Sequence, residues 1–583
     1  MTQQNDTASV PDQSVYGPSW YSATMVPAAD RVPLTYDFDA EVCIVGGGLA
    51  GLTAAREIAR RGWSVAVLET RRVAWNASGR NCGFVLPGFA VAMDQVIARV
   101  GVDHAKALWS LSEMGLDYVR ETIGETGMPG VDPVNGWLKV SKTDQIEDAV
   151  ADLKLYGQVL GAEIEGWATE RVRDVLRTRH YFHAMHFPRA FHMHPLNYAL
   201  GLAAAAERAG ARIFEGTPAL SIDPDGVRKR IATPHGRIRA SHIVLACNVH
   251  LGALMPRAAG TLMPIWTYMF VTAPLGPRLL EAIRYRGAVS DTDLADNHYR
   301  IVDGDRLLFS GRSTTWEADP RRYVGKLKAD LAALYPRIGD VEVEYVWSGV
   351  LGSALHRMPQ LGELTPGFWM ASGFGGHGLN TTAMAGNILA RAIVDGDDSW
   401  RLFSPYEFVW AGGKLGRAVK QIYYWWFRAS ERYEARQARE REEEVERASE
   451  REEPRFAERP QARVAPDVVA ASDLPAEPVP DSLPADPALA ELSAMTGAPG
   501  DEPPVREAVE PRGREAVEPR GREALEARLR GAADPNRRAP AIEDFDAVWP
   551  ARQPPLASYG EDATQADRSR PIPPRGRRPS RDG

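Results

Sequence analysis

Val42-Cys43-Ile44-Val45-Gly46-Gly47-Gly48-Leu49-Ala50-Gly51-Leu52-Thr53-Ala54-Ala55-Arg56-Glu57-Ile58-Ala59 is the stretch whose reading decides the fold. Residues 40–45 read as a strand, apolar as a strand covered on both faces should be. Residues 49–61 have the composition of a helix, and residues 64–68 read as a second strand. Strand, glycine turn, helix and strand make a βαβ unit. Within Gly46-x-Gly48-x-x-Gly51, Gly46 turns the chain, Gly48 lets the backbone approach a pyrophosphate, and Gly51 lets the helix pack closely on the strand. The anion then sits at the helix N-terminus, where unpaired N–H groups and the helix dipole favour negative charge. Glu69, at the end of the second strand, suits ribose hydroxyls and would repel a 2′-phosphate. The competing reading is a tight strand-to-helix turn that holds no ligand.

Outward from this unit, Arg71-Arg72 leads to Ala77-Ser78-Gly79-Arg80-Asn81-Cys82-Gly83, small and flexible residues suited to pressing backbone N–H groups against a flat polar ring system. Residues 84–190 read as mostly helical and irregular. A helix is predicted over 195–209, with strands over 212–215, 241–247 and 266–272. A second passage of strand, glycine loop and helix occupies residues 368–372, 373–378 and 381–394.

The 583-residue chain is too long for one ordinary domain, and nearly all of its aromatic residues precede about position 430, so a bilobed core is expected in that part. A net charge of −8, from 69 Lys and Arg against 77 Asp and Glu, gives no footprint for nucleic acid. Cys43, Cys82 and Cys247 are too few for a disulfide framework and suit a reducing compartment, hence a cytoplasmic location. The first twenty residues do not resemble a signal peptide, and no run of 18 apolar residues occurs. His180, His183, His186, His192 and His194 are crowded, yet no HExxH or Cys pair accompanies them, so no metal is expected. Tyr423-Tyr424-Trp425-Trp426-Phe427, flanked by Lys414, Arg417, Lys420 and Arg428, is read as packing on its own core, with membrane contact the lesser reading. Residues 431–453 form a solvated charged helix that Pro454 should end. Residues 454–583, with octapeptide copies at 506–513 and 514–521, have the composition of a disordered tail.

The passage from Asp39 to Gly83 resembles the D-amino acid oxidase-like superfamily of FAD oxidoreductases, most closely its gamma-glutamylputrescine oxidoreductase-like branch. In that branch the ribose acid is followed by paired arginines and an ASGRNGG-type flavin loop; here Cys82 replaces a glycine. The resemblance continues through His194-Pro195, Tyr198, Ala246-Cys247-Asn248, Thr272-Ala273-Pro274-Leu275, Arg306-Leu307-Leu308-Phe309-Ser310-Gly311, Trp347-Ser348-Gly349, His356-Arg357-Met358-Pro359 and Gly373-Phe374-Gly375-Gly376-His377-Gly378, covering residues 15–427.

The resemblance implies an α/β fold: a Rossmann-like FAD-binding domain assembled from residues 37–90, 191–255 and 346–400, with an α+β substrate domain of residues 91–190 and 256–345 inserted into it. Residues 1–36 would be an arm and 401–430 a helical extension of the core. FAD is the implied cofactor, held by Gly46, Gly48, Gly51, Glu69, Arg71, Arg72, Ser78, Gly79, Arg80, Asn81, Cys82 and Gly83, with Gly375, Gly376, His377 and Gly378 under its ring. Tyr299 and Arg300 fall where family members bring a strand towards the flavin, and some use an arginine there to hold a carboxylate; His377 is the other candidate substrate contact. The implied reaction takes a hydride from a small amine or amino acid to flavin N5 and leaves an imine for water to hydrolyse. A second reading, from a different class, is a scaffold with a flavin-binding core and a partner-recruiting tail. The exact amine, the electron acceptor and the oligomeric state stay open at this stage.

Overall fold

The structure is a computed structural model and describes residues 16–291 and 297–457. Residues 1–15, and the expected tail from 458 onward, lie outside the described residues.

Two sheets organise the described residues. In the first, parallel strands Phe368–Ser372, Arg237–Leu245, Phe38–Val45, Val65–Leu68 and Arg212–Phe214 lie side by side in that order. Counted along the chain this is the 3-2-1-4-5 order of a dinucleotide-binding half. Its central strands are apolar because both faces are covered: Val42, Cys43, Ile44, Val67, Ile243 and Val244 are fully buried. Gln360–Thr365 adds an antiparallel edge next to Phe368–Ser372.

Among the described residues, the helices longer than ten residues are α1 (Leu49–Arg60), α2 (Val102–Thr126), α3 (Pro195–Arg208), α4 (Arg321–Leu334), α5 (Gly378–Ala390) and α6 (Gly413–Ala457). Helix α1 packs against α3 and α5. Small residues set the α1–α5 distance: a Cβ on Gly386 would lie 2.5 Å from Thr53 Cβ and 2.8 Å from the Ala50 carbonyl oxygen.

The second sheet runs Val343–Ser353, Met263–Thr272, Arg306–Thr314, Asn297–Val302, Ala288–Asp291, Val134–Val140, Ala184–His192 and Phe84–Val85. All of these pairs are antiparallel except Ala288–Asp291 with Val134–Val140. Leu327, Leu331 and Leu334 of α4 join Phe270, Tyr299 and Phe309 in a core against this sheet.

Several expectations need correction. Residues 84–190 are mostly helical and irregular as read, but they also supply strands that the sequence reading lacked, Val134–Val140, Glu165–Trp167 and most of Ala184–His192. Pro188 obscures the last of these in the sequence, but it falls where the pairing shifts register between Asn135↔Phe191 and Trp137↔Phe187, a bulge that tolerates a missing donor. The expected boundaries at 191 and 346 both cut through strands of the second sheet. The pieces 401–430 and 431–453 are not separate helices: α6 continues through them, with Arg436–Glu440 and Glu443–Arg447 pairs four residues apart, and Pro454 lies in its last turn. The aromatic run packs only in part, for Tyr424 is buried while Trp425 and Trp426 are 59% and 63% exposed. The arm is anchored by aromatic residues, with Tyr21 fully buried edge-on to Trp347 and His194.

Candidate active site

At the carboxyl ends of Phe38–Val45 and Arg237–Leu245 the strand order reverses, and the chain leaves the two strands in diverging directions to open a crevice. Gly46 occupies it at φ +117°, where a Cβ would lie 2.7 Å from the Ala246 carbonyl oxygen. A Cβ on Gly51 would lie 2.1 Å from the Gly46 carbonyl oxygen, so only glycine lets α1 begin this close to the strand. Gly48 is the N-cap of α1, and Ser78 Oγ accepts a hydrogen bond from the Leu49 N–H at 3.1 Å.

A cavity of about 920 Å³ starts at this turn and runs to the second sheet, near the top of the usual range of about 300–1,000 Å³ for small-molecule sites. Glu69 lines it and accepts the Gly47 and Arg71 N–H groups, each at 2.8 Å, one on each oxygen. Burial pushes its carboxyl pKa up, and these two bonds partly counter that. Each oxygen keeps accepting capacity for a ribose hydroxyl. Arg71 also lines the cavity, its guanidinium 3.8 Å from the Trp75 ring centroid. Arg72 does not: it turns away to pair with Asp30 at 2.8 Å and Glu215 at 2.7 Å, fastening the arm.

Ala77–Arg80 forms a single helical turn that brings Ser78, Arg80, Asn81 and Cys82 to the cavity wall. The Asn81 side chain closes the turn, donating to the Ala77 carbonyl at 2.9 Å and accepting the Gly83 N–H at 2.7 Å. The Cys82 thiol is pushed up to about 11, chiefly by burial, so the residue that replaces the expected glycine is neutral. Gly51, Gly79 and Gly83 are not on the wall. A Cβ on Gly79 would lie 2.5 Å from the Ala74 carbonyl oxygen and one on Gly83 2.2 Å from that of Met193, so these glycines permit close packing behind it.

From the far end of the first sheet, Gly375, Gly376, His377 and Gly378 reach the same cavity. His377 is the N-cap of α5 but makes no side-chain capping bond, which leaves that helix end to favour negative charge within the cavity. Burial, with Arg357 adding to it, holds the His377 pKa down at about 3, so the imidazole is neutral.

The remaining wall comes from the second sheet and its surroundings. Trp137 and Phe187 stack at 4.7 Å, Trp109 meets Tyr156 edge-on at 5.4 Å, and Lys139, Asp291, His298, Arg312 and Arg357 supply the polar groups. His298 Nδ1 bonds to Ser290 Oγ at 2.8 Å, and burial holds its pKa at about 4. Asp291 accepts the Asn297 N–H and side-chain amide at 2.8 Å and pairs with Lys142 at 3.0 Å. Tyr423, Tyr424 and Phe427 of α6 complete the wall.

Neither Tyr299 nor Arg300 lines the cavity. Successive residues of Asn297–Val302 point to opposite faces, so Tyr299 faces the core behind the sheet, its hydroxyl 2.8 Å from that of Tyr335. Arg300 lies behind the Cys82 turn, where it donates to the Cys82 carbonyl (2.8 Å), the Met193 carbonyl (2.9 Å) and the Tyr21 hydroxyl (3.2 Å), with His192 Nδ1 at 2.9 Å. The residue of this strand that does reach the cavity is His298, one position before the expected pair. The sequence reading also missed Lys139 and Asp291: the alternation of Val134–Val140, which brings Trp137 and Lys139 to the cavity, is the signal that finds the first, whereas Asp291 ends the short strand Ala288–Asp291, where alternation gives no such signal.

Residues 41–392 match the family described as FAD dependent oxidoreductase, DAO. The chain belongs to this family. As a DAO-family FAD-dependent oxidoreductase, it fits its cofactor on structural grounds too: glycines open the crevice, the Glu69 carboxylate lines it with accepting capacity to spare, and the α5 terminus faces the same space. The DAO chain is 29% identical over 398 residues to the probable oxidoreductase OrdL of Haemophilus influenzae, covering 67% of this chain and 90% of that one. It is 29% identical over 423 residues to the gamma-glutamylputrescine oxidoreductase of Escherichia coli, covering 70% of this chain and 97% of that one. The crystal structure of glycine oxidase from Geobacillus kaustophilus shares its fold, with a TM-score of 0.55, 21% identity, and coverage of 64% of this chain and 98% of that one.

Proposed function

We propose that this FAD-dependent oxidoreductase oxidises a small amine or amino acid that also carries a carboxylate, at the C–H bond next to nitrogen. The observation that carries this reading is the charge on the second-sheet side of the cavity: Lys139, Arg312 and Arg357 stand against the single carboxylate of Asp291, between aromatic walls. Lys139 and Arg312 are tied outward to Asp152 and Asp330, which holds their charges in place without filling the cavity. The names of two similar proteins, gamma-glutamylputrescine oxidoreductase and glycine oxidase, support amine and amino-acid chemistry.

We assign the phosphate end of the cofactor to Gly46, Gly48 and Ser78, its ribose to Glu69, and its ring to the turn Arg80-Asn81-Cys82 and to Gly375-Gly376-His377-Gly378. Bound FAD would supply the two-electron acceptor, taking a hydride at N5. The protein's own part is positioning and tuning. The aromatic residues exclude water, and the desolvated cavity favours the free amine over the ammonium, which is the form able to release a hydride. His298 and His377, both held neutral, put no positive charge beside that nitrogen. No protein nucleophile is needed, and the imine product hydrolyses in water. We place the enzyme in the cytoplasm, consistent with three free cysteines.

An anaerobic panel of amines and amino acids tests the proposal through loss of flavin absorbance. Carboxylate-bearing amines should bleach the flavin fastest. Bleaching by none of the panel would overturn amine oxidation, and bleaching only by amines without a carboxylate would overturn the assignment of the cationic wall.

A further inference from the structure

Helix α6 has two unlike sides. Its inner side is pinned: the Gln421 side chain accepts the Thr315 N–H at 2.9 Å, the Arg417 carbonyl accepts the Thr315 hydroxyl at 2.9 Å, and Tyr424 packs with Met263, Ile265 and Ala411. These contacts fix the rotation of the helix about its axis. Leu415, Val419, Ile422 and Trp426, spaced four, three and four apart, therefore form one stripe on the opposite side. All four are at least 60% exposed. Trp425 extends the stripe sideways to Trp316, at 6.1 Å between ring centroids, and Trp410 lies beside the helix start at 69% exposure. Among the described residues nothing covers this face. Singly exposed apolar residues are ordinary, whereas a continuous patch of this kind marks an interaction surface.

The charge around the patch indicates its partner. From Phe408 to Ser430 the chain contains Lys414, Arg417, Lys420 and Arg428 and no acidic residue. Just beyond, Arg312, Arg428 and Arg432 converge on the Asp330 carboxylate, with Glu431 also acting on Arg428, so acidic residues meet the helix only at the far end of this basic stretch. Two copies of this face brought together would oppose like charges around their rims, which disfavours self-association. Tryptophan and tyrosine interleaved with basic residues suit the headgroup layer of a bilayer, where an aromatic ring meets both apolar and polar surroundings. No helix among the described residues is long and apolar enough to cross a membrane, so attachment would be along the surface.

We propose that this face of α6 docks the enzyme on an anionic lipid surface. The same helix supplies Tyr423, Tyr424 and Phe427 to the cavity wall, so the cavity would lie directly behind the docked surface. The observations that carry this are independent of the substrate assigned above.

The test uses the full-length holoenzyme with phosphatidylcholine vesicles prepared with and without phosphatidylglycerol. Co-sedimentation and a blue shift of tryptophan emission are expected with the anionic vesicles only, both weakening as salt is raised. The double variant Ile422→Ser, Trp426→Ser, which leaves the cavity residues untouched, should bind those vesicles at least about tenfold more weakly while retaining its flavin and its turnover of soluble substrate. Absence of binding to anionic vesicles, or equal binding by the double variant, overturns the proposal. So does a lipid-free dimer that the double variant dissociates, which would assign the face to a second copy. Protection of the tryptophans from acrylamide quenching in lipid-free monomer would show the face covered by the chain itself, and would overturn it as well.

Discussion

Arg300 holds a buried positive charge among neutral acceptors: two backbone carbonyls, a tyrosine hydroxyl and a histidine nitrogen. Removing it would leave these groups unsatisfied behind the flavin turn, so Arg300→Ala should destabilise the protein by about 2–5 kcal/mol in urea unfolding. The KM of the surviving enzyme for carboxylated substrates should stay close to wild type, and a selective rise would return Arg300 to the substrate site. Glu69→Ala removes the carboxylate proposed to meet the ribose and should weaken FAD retention on the order of tenfold in a reconstitution titration, with little loss of secondary structure. Acidity acts through the buried histidines. His192, His194 and His377 are held at about 3 and His298 at about 4, against 6.5 unperturbed, chiefly by burial. The unfolded chain therefore binds more protons below pH 6.5, so their contribution to stability is complete above that pH and is lost as pH falls from about 6.5 towards 3. Burial raises the pKa values of Glu69 and Glu215, which act with the opposite sign. The diagnostic is thus a shallower fall of urea midpoint between pH 6.5 and 4.5 in His298→Asn than in wild type; identical slopes would remove His298 from the account.

At the scale of elements, the cofactor crevice depends on helices that approach closely. Gly386 on α5 faces Ala50 and Thr53 on α1, and Gly115 on α2 would carry a Cβ only 2.2 Å from the Asn380 carbonyl oxygen. Gly386→Leu should force α1 and α5 apart, lowering stability by about 1–3 kcal/mol and reducing flavin content together, as read by thermal unfolding and the absorbance ratio of flavin to protein. Full flavin occupancy in a destabilised variant would separate the two effects. The first βαβ unit was legible because one continuous segment contains both strands, the glycine turn and the acidic residue Glu69. The strand Asn297–Val302 was legible only as a region: the family resemblance implied a strand near the flavin there, but a shift of one residue exchanges His298 for Tyr299, and pairing partners alone fix that register. Pro188 similarly concealed a strand because local propensity says nothing of a bulge that a neighbour accommodates.

At the scale of the whole molecule, the cavity is a seam between two sheets, with walls drawn from residues as distant as Gly46 and Phe427. A ligand filling such a seam stabilises the folded state by mass action, by about 2.7 kcal/mol at a free concentration one hundred times Kd. Adding FAD to the apoprotein should therefore raise Tm, and an unchanged Tm at saturating FAD would mean that the seam does not close on the cofactor. Contiguous residues already specified the βαβ unit with its glycine turn and the family, because the spacing of such motifs is set by backbone geometry. That Arg72 and Arg300 are fasteners, that Gly79 and Gly83 serve packing, that Lys139, Asp291 and His298 face the cavity, and that Ile422 and Trp426 face outward follows from the assembled fold alone. Those assignments depend on which way a side chain points once distant strands and helices meet, and burial and pairing between remote segments, unlike turn chemistry, are not encoded in any single stretch.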